Sequence, residues 1–207
     1  MLWYTFFELL GIGAAAVVAW RLKMPQIQSD KKMNVYICAL IGLLLGMKLP
    51  VLLSYGLSSD FIFNGKSYMG GVLGAFLGIN LYKLFSHQTQ LSFGGRFVIP
   101  LAVAVGFGKI GCYFNGCCGG RFIVPIQLAE SAFQFTMAGL LYLFYKRTRR
   151  TDLLFPIYLL SYLIMRFCIE FVRIEPRIFG PFTLYHILAL IFIPVVSIIL
   201  WRRYHAA

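Results

Sequence analysis

Charge is what this chain has least of, and acidic charge above all. Of 207 residues only 13% are Asp, Glu, Lys or Arg, and seven acidic side chains face nineteen basic ones. A soluble globular domain carries about 25% charged residues, so that class is excluded. A disordered chain needs few apolar groups, and a collagen-like chain needs a Gly-X-Y period; neither fits. Internal repeats and low-complexity linkers are missing. So are the glycine-rich phosphate loop, the dinucleotide fingerprint, the zincin motif and the serine-hydrolase elbow. Five cysteines are too few for a disulfide-stapled miniprotein, although three of them, Cys112, Cys117 and Cys118, crowd into seven residues.

What is present is apolar surface: 60% of the residues are hydrophobic, and mean hydropathy is +0.79. A membrane span needs about 20 predominantly apolar residues. Seven stretches qualify, at about 2–20, 34–56, 68–86, 97–112, 127–145, 153–172 and 182–201. They predict one all-α integral membrane domain over 1–207, embedded and multi-pass. The first stretch does not read as a cleavable leader, because it lacks a basic start, carries Glu8 and runs into Arg21-Leu22-Lys23. The fourth is short and glycine-broken around Gly106, Gly108 and Gly111, which predicts irregular backbone sheltered by protein.

The basic residues sort by loop. Twelve lie on one alternating set of loops and after the last span: Arg21, Lys23, Lys31, Lys32, Lys83, Arg96, Lys146, Arg147, Arg149, Arg150, Arg202 and Arg203. The opposite loops hold Lys66, Arg121, Arg173 and Arg177. The positive-inside rule then puts the N-terminus outside and the C-terminus in the cytoplasm. The net charge of +12 is accordingly topological, and no nucleic-acid partner is expected.

Lys48, Lys109, Arg166, Glu8, Glu130 and Glu170 fall inside spans. Ionisable groups at membrane depth are costly and face a partner or a wet cavity. Arg166, Glu170 and Arg173 are spaced four and then three apart, so they share one face. Taken alone, Arg166 and Glu170 fit a snorkelling structural pair. Several charges converging on one leaflet favour a polar cavity opening toward the outer leaflet.

Five motifs now stand in order: Trp3-Tyr4; Ser67-Tyr68-Met69-Gly70-Gly71; the run from Gly108 to Arg121; Pro125-Ile126-Gln127-Leu128-Ala129-Glu130; and Arg166-Phe167-Cys168-Ile169-Glu170-Phe171-Val172-Arg173. In order and spacing the chain resembles the bacterial prolipoprotein diacylglyceryl transferase family, over nearly its whole length. The resemblance implies a multi-pass enzyme of the bacterial cytoplasmic (inner) membrane. Its donor would be phosphatidylglycerol, its acceptor a thiol such as a prolipoprotein cysteine, and its leaving group glycerol phosphate. Arg166 and Arg173 match two family arginines. Tyr4, Asn115, Gly120, Gln127, Glu130 and Glu170 match other family positions, and Gly70, Gly71, Cys112 and Arg121 complete the expected substrate-binding set. Arg166 with Lys109 would clamp the phosphate, and Glu170 would orient Arg166 or accept a proton. No cofactor is expected.

The departures are chemical. Met69 stands where the family has a histidine and cannot shuttle a proton. Lys109 replaces an arginine, keeping the charge but losing the bidentate fork. Cys112 replaces an asparagine and Cys117 a glutamate. His186, in Thr183-Leu184-Tyr185-His186, replaces a glutamine and joins Lys109, Cys117, Cys118, Arg166 and Glu170 as a catalytic candidate; a hydrogen-bonded structural histidine fits it equally. The cysteine loop admits nucleophilic thiols, a disulfide between Cys112 and Cys117, or a metal site with His186. Its C-x₄-C-C spacing is not a usual zinc pattern, and no metal is assigned. Cys38 and Cys168 read as small buried hydrophobes. Gly70, Gly71, Gly74 and Gly78 read as a helix-packing seam, whereas Gly106, Gly108, Gly111 and Gly116 read as backbone approaching a lipid headgroup. The favoured function is the phospholipid-dependent transferase. The alternatives are a thiol-dependent lipid or acyl transferase using Cys117 or Cys118 covalently with a non-lipoprotein acceptor, and a non-catalytic lipid-binding or transport protein.

Overall fold

A computed structural model describes residues 2–23, 30–56, 65–86, 95–120 and 125–205. Among them are seven helices: α1 (Leu2–Arg21), α2 (Asp30–Tyr55), α3 (Tyr68–Phe85), α4 (Val98–Phe114), α5 (Ile126–Thr148), α6 (Thr151–Glu170) and α7 (Leu184–His205). Two short antiparallel strands, β1 (Arg177–Phe179) and β2 (Phe182–Thr183), precede α7. The fold is all-α apart from that hairpin, and the helices occupy the seven expected positions. Five segments are long and apolar enough to cross a membrane: Leu2–Arg21, Met33–Tyr55, Tyr68–Phe85, Thr151–Glu170 and Leu184–His205. Their exposed Leu, Ile, Phe and Trp side chains suit lipid as the surrounding solvent.

The chain groups into two compact units, Met1–Pro25 with Gly94–Glu175 and Leu188–Ala207, and Gln26–Phe93 with Pro176–Ile187. In the first, α1 packs on α4 and α4 on α5. Val98, Ile99 and Ala102 of α4 meet Met137, Ala138 and Leu141 of α5 and Leu154 and Tyr158 of α6 in one buried cluster. At the far end, Arg150 donates to the Arg203 carbonyl at 2.6 Å and Arg203 to the Asp152 carbonyl at 2.8 Å, tying the start of α6 to the end of α7.

The fourth segment corrects an expectation. It is a continuous helix of 17 residues, unbroken at Gly106, Gly108 and Gly111. Two of these glycines make room for neighbouring helices instead of bending the chain. A Cβ on Gly106 would meet the Phe135 ring at 2.8 Å, and one on Gly111 would meet Phe7 Cβ at 3.2 Å. The headgroup approach expected of them is replaced by helix packing.

In the second unit the glycine seam expected on α3 is present. Gly70, Gly74 and Gly78 lie so close to α2 that an added Cβ would land on the carbonyl oxygens of Gly46, Gly42 and Cys38. Small residues let backbones approach where lipid removes the hydrophobic drive between helices. Ser67 caps α3 by accepting the Gly70 N–H at 3.1 Å, and Lys48 donates to the Gly65 carbonyl at 2.9 Å.

Gly74→Val should lower stability by about 1–3 kcal/mol through overpacking. Gly139→Ala, on open helix surface, should raise the unfolding midpoint. Thermal unfolding in detergent reads both, and an unchanged midpoint for Gly74→Val would sink the seam.

Candidate functional site

Two polar stripes face each other across α5 and α6. On α5, Gln127, Glu130, Ser131 and Gln134 recur at three- and four-residue spacing and are all buried. On α6, Tyr158, Tyr162, Arg166 and Glu170 recur every four residues and are buried too. Because the chain reverses between the two helices, the stripes pair in opposite order. Tyr158 donates to Gln134 Oε1 at 2.7 Å, and Arg166 donates to Glu130 Oε1 at 2.9 Å.

Glu130 is the hub. Its second oxygen pairs with Lys109 of α4, and Arg173, in the turn beyond α6, lies 3.5 Å from its first. Arg166 also reaches Glu170 Oε2 at 3.0 Å, and Arg173 comes within 3.8 Å of that same oxygen. Arg173 further pairs with Glu175 at 2.9 Å. Three cations thus meet three carboxylates, and their charges cancel. Matching matters because Glu130 and Glu170 are only 1% and 2% exposed, and an uncompensated buried ion costs several kcal/mol. Burial works against the Arg173 charge, but Glu130 and Glu175 outweigh it and hold the guanidinium above its ordinary range.

The cysteine loop begins where α4 ends. Asn115 caps the helix, its N–H bonding back to the Gly111 carbonyl at 3.0 Å. Gly116 then turns the chain at φ +69°, a left-handed conformation that costs glycine little. Cys118 adopts φ +61° with a full side chain, which costs of order 1–3 kcal/mol. These turns bring the Cys117 N–H to the Cys112 carbonyl at 3.2 Å. Gln127 Nε2 donates to the Cys117 carbonyl at 2.8 Å, and Arg173 to the Cys118 carbonyl at 3.5 Å. Gly120 bridges to Arg173 as an isolated β-pair. The result gathers three sulfur atoms within 4.8 Å of one another. All three thiols are free, with Cys118 exposed and Cys112 and Cys117 half-buried.

The thiols differ in acidity. A hydrogen bond from the Cys112 thiol, with Lys109 and Arg173 nearby, lowers Cys118 to about 5 despite its partial desolvation. Burial and the neighbouring Cys118 push Cys117 up.

Lys109, Glu130, Arg166, Glu170 and Arg173 are therefore brought together, beside a loop that holds Asn115, Cys117, Cys118 and Gly120 between Cys112 of α4 and Gln127 of α5. Tyr4 sits on α1 with its backbone against Gly111. Arg121 lies outside the described residues. Gly70 and Gly71 belong to the second unit, where Gly70 serves the helix seam. His186, also there, is fully buried, its Nδ1 3.2 Å from both the backbone N and Oγ1 of Thr183. Cys168 is exposed on α6, not buried as expected; one residue past Phe167, it falls off the helix face that carries Arg166 and Glu170 inward.

Sequence reasoning missed Ser131, Gln134, Tyr158, Tyr162 and Glu175. Ser131 donates to the Gly106 carbonyl at 2.8 Å. The four-residue recurrence of Tyr158, Tyr162, Arg166 and Glu170 was a legible signal of one polar face.

The family model described as prolipoprotein diacylglyceryl transferase matches residues 1–202. A Clostridium tetani protein named phosphatidylglycerol–prolipoprotein diacylglyceryl transferase is 27% identical over 197 residues, covering 81% of this chain and 79% of its own. A Clostridium perfringens protein with that name and the suffix 2 is 28% identical over 206 residues, covering 84% and 80%. The similarly named protein of Pseudomonas paraeruginosa is 28% identical over 211 residues, covering 86% and 78%.

Glu130→Gln keeps shape but removes the hub charge, and should destabilise the protein by about 3–5 kcal/mol. Glu8→Gln, at an exposed position of α1, should leave the unfolding midpoint unchanged; equal effects would deny Glu130 its role. Separately, iodoacetamide labelling followed by peptide mapping should give Cys118 a half-maximal rate near pH 5. Cys117 should label only in alkali, and coincident pH profiles would contradict the assigned acidities.

Proposed function

We propose the reaction of this chain from one premise: it belongs to the prolipoprotein diacylglyceryl transferase family and is a membrane transferase. It moves the diacylglyceryl group of phosphatidylglycerol to a thiol acceptor such as a prolipoprotein cysteine. The acceptor sulfur attacks the glycerol carbon that carries the phosphate ester. A C–S bond forms, the C–O bond breaks, and the electron pair leaves with glycerol phosphate while the thiol proton passes to a base. The membrane is the bacterial cytoplasmic one. The N-terminus lies outside, the C-terminus in the cytoplasm, and the ion network and cysteine loop face a polar cavity open to the outer leaflet.

The observation that carries this reading is the buried convergence of Lys109, Arg166 and Arg173. A departing phosphate needs preorganised cations in a low-dielectric site. Arg166 supplies the planar fork, Lys109 a point charge, and Arg173 reaches in from the turn. Glu170, 3.0 Å from Arg166, fixes the direction of that fork or takes the proton. Tyr4, Asn115, Gly120, Gln127 and Arg121 complete the substrate contacts.

One observation favours a second reading. Cys118 is exposed and its thiol acidic, the condition under which a thiolate is nucleophilic at neutral pH. Cys118, or Cys117 beside it, would carry the lipid group covalently before passing it to another acceptor.

Labelled phosphatidylglycerol and a lipobox peptide, incubated with the purified protein and weighed by mass spectrometry, test both. The expected product is a diacylglyceryl adduct on the peptide thiol. An adduct on Cys117 or Cys118 with the peptide untouched selects the covalent reading, and no adduct anywhere overturns the donor. Arg166→Lys should retain the fold and lose about 10²–10³-fold in turnover.

A further inference from the structure

The spacing C-x₄-C-C gives no hint of a shared centre, because the paired spacings of common metal sites hold their ligands close in sequence. The loop geometry supplies what the spacing lacks. Left-handed backbone at Gly116 and again at Cys118 folds the run back onto the last turn of α4. All three sulfurs end within 4.8 Å of one another, from one helix end and one loop. Two carbonyl anchors, Gln127 on Cys117 and Arg173 on Cys118, fix the loop in that shape.

Family membership explains none of this, since the three cysteines coincide only in part with motif positions, and those positions carry asparagine and glutamate. We propose that Cys112, Cys117 and Cys118 hold one soft, thiophilic metal ion, with the charge and coordination number of Cu(I).

The geometry is nearly that of the filled site. With metal–sulfur bonds of about 2.3 Å, a planar three-sulfur site needs sulfurs about 4 Å apart. The loop has less than about 1 Å to close. Thiolates select soft ions such as Cu(I) over hard ones. Three thiolates around Cu(I) carry two negative charges, and Lys109 and Arg173, though paired with Glu130, lie beside the loop and attract them. Cys118 is an exposed residue, which puts the cluster next to the surface. On binding, each thiol releases its proton and no electron changes hands, since copper enters already reduced.

The test uses the full chain in detergent, anaerobic and with a thiol-free reductant, its reduced state verified by intact mass. Cu(I) is delivered from a chromophoric chelator that competes for it, and bound copper is counted by mass spectrometry. The expected result is one copper per chain, with X-ray absorption giving three sulfur neighbours. Cys112→Ser, Cys117→Ser and Cys118→Ser should each abolish uptake, whereas Cys38→Ser and Cys168→Ser should take up the full equivalent. Arg173→Met, which removes an outer cation, should weaken affinity by about tenfold or more. A fully reduced wild-type chain that takes up no copper overturns the proposal, as does uptake that survives in the triple serine variant. Zn(II) bound in preference to Cu(I) overturns the assignment of the ion. None of these readouts depends on transferase turnover, so their failure leaves the proposed reaction standing or falling by itself.

Discussion

The ion network of the first unit leans on Glu130. One carboxylate at 1% exposure is shared by Lys109 from α4, Arg166 from α6 and Arg173 from the turn after it. In a low-dielectric surround such contacts are strong, and any member left alone is expensive. The network therefore dictates which faces of α4, α5 and α6 look inward. It also dictates where α6 must end, because Arg173 has to fold back toward Glu130 from a non-helical position. The cysteine loop inherits its shape from the same source through the Arg173 contact to the Cys118 carbonyl.

The two units solve the problem of holding helices together in lipid by opposite means. Between α2 and α3 the backbones approach closely along glycines. Between α5 and α6 there are hydrogen bonds and ion pairs along facing stripes. Both are substitutes for a hydrophobic drive that lipid does not provide. The glycine seam has no chemistry to offer, while the polar seam assembles a set of groups that chemistry can use.

Most of the helical positions were legible because a continuous apolar run is a strong signal and charge on the loops marks their ends. The α2–α3 seam was legible for a similar reason: Gly70, Gly74 and Gly78 recur at helical spacing. Gly106, Gly108 and Gly111 look the same in sequence as a break, and only Phe135 beside Gly106 and Phe7 and Tyr4 beside Gly111 reveal a helix packed tightly from two sides. The site was half legible. Arg166, Glu170 and Arg173 announce themselves on one helix face, but the role of Glu130 as their common partner depends on the reversal between α5 and α6. The meeting of the three sulfurs depends on two backbone angles that no spacing encodes.

The cancellation of charge around Glu130 has a consequence for how the site works. An anion entering this network would bring negative charge to a place that has no positive charge to spare. Its arrival would be an exchange of counter-ions: the anion takes over a cation and Glu130 gives one up. The resting network is closed on itself, each ion already holding a counter-ion. Selection of an anion there would rest on how readily Glu130 can be re-partnered, and not on surplus positive charge.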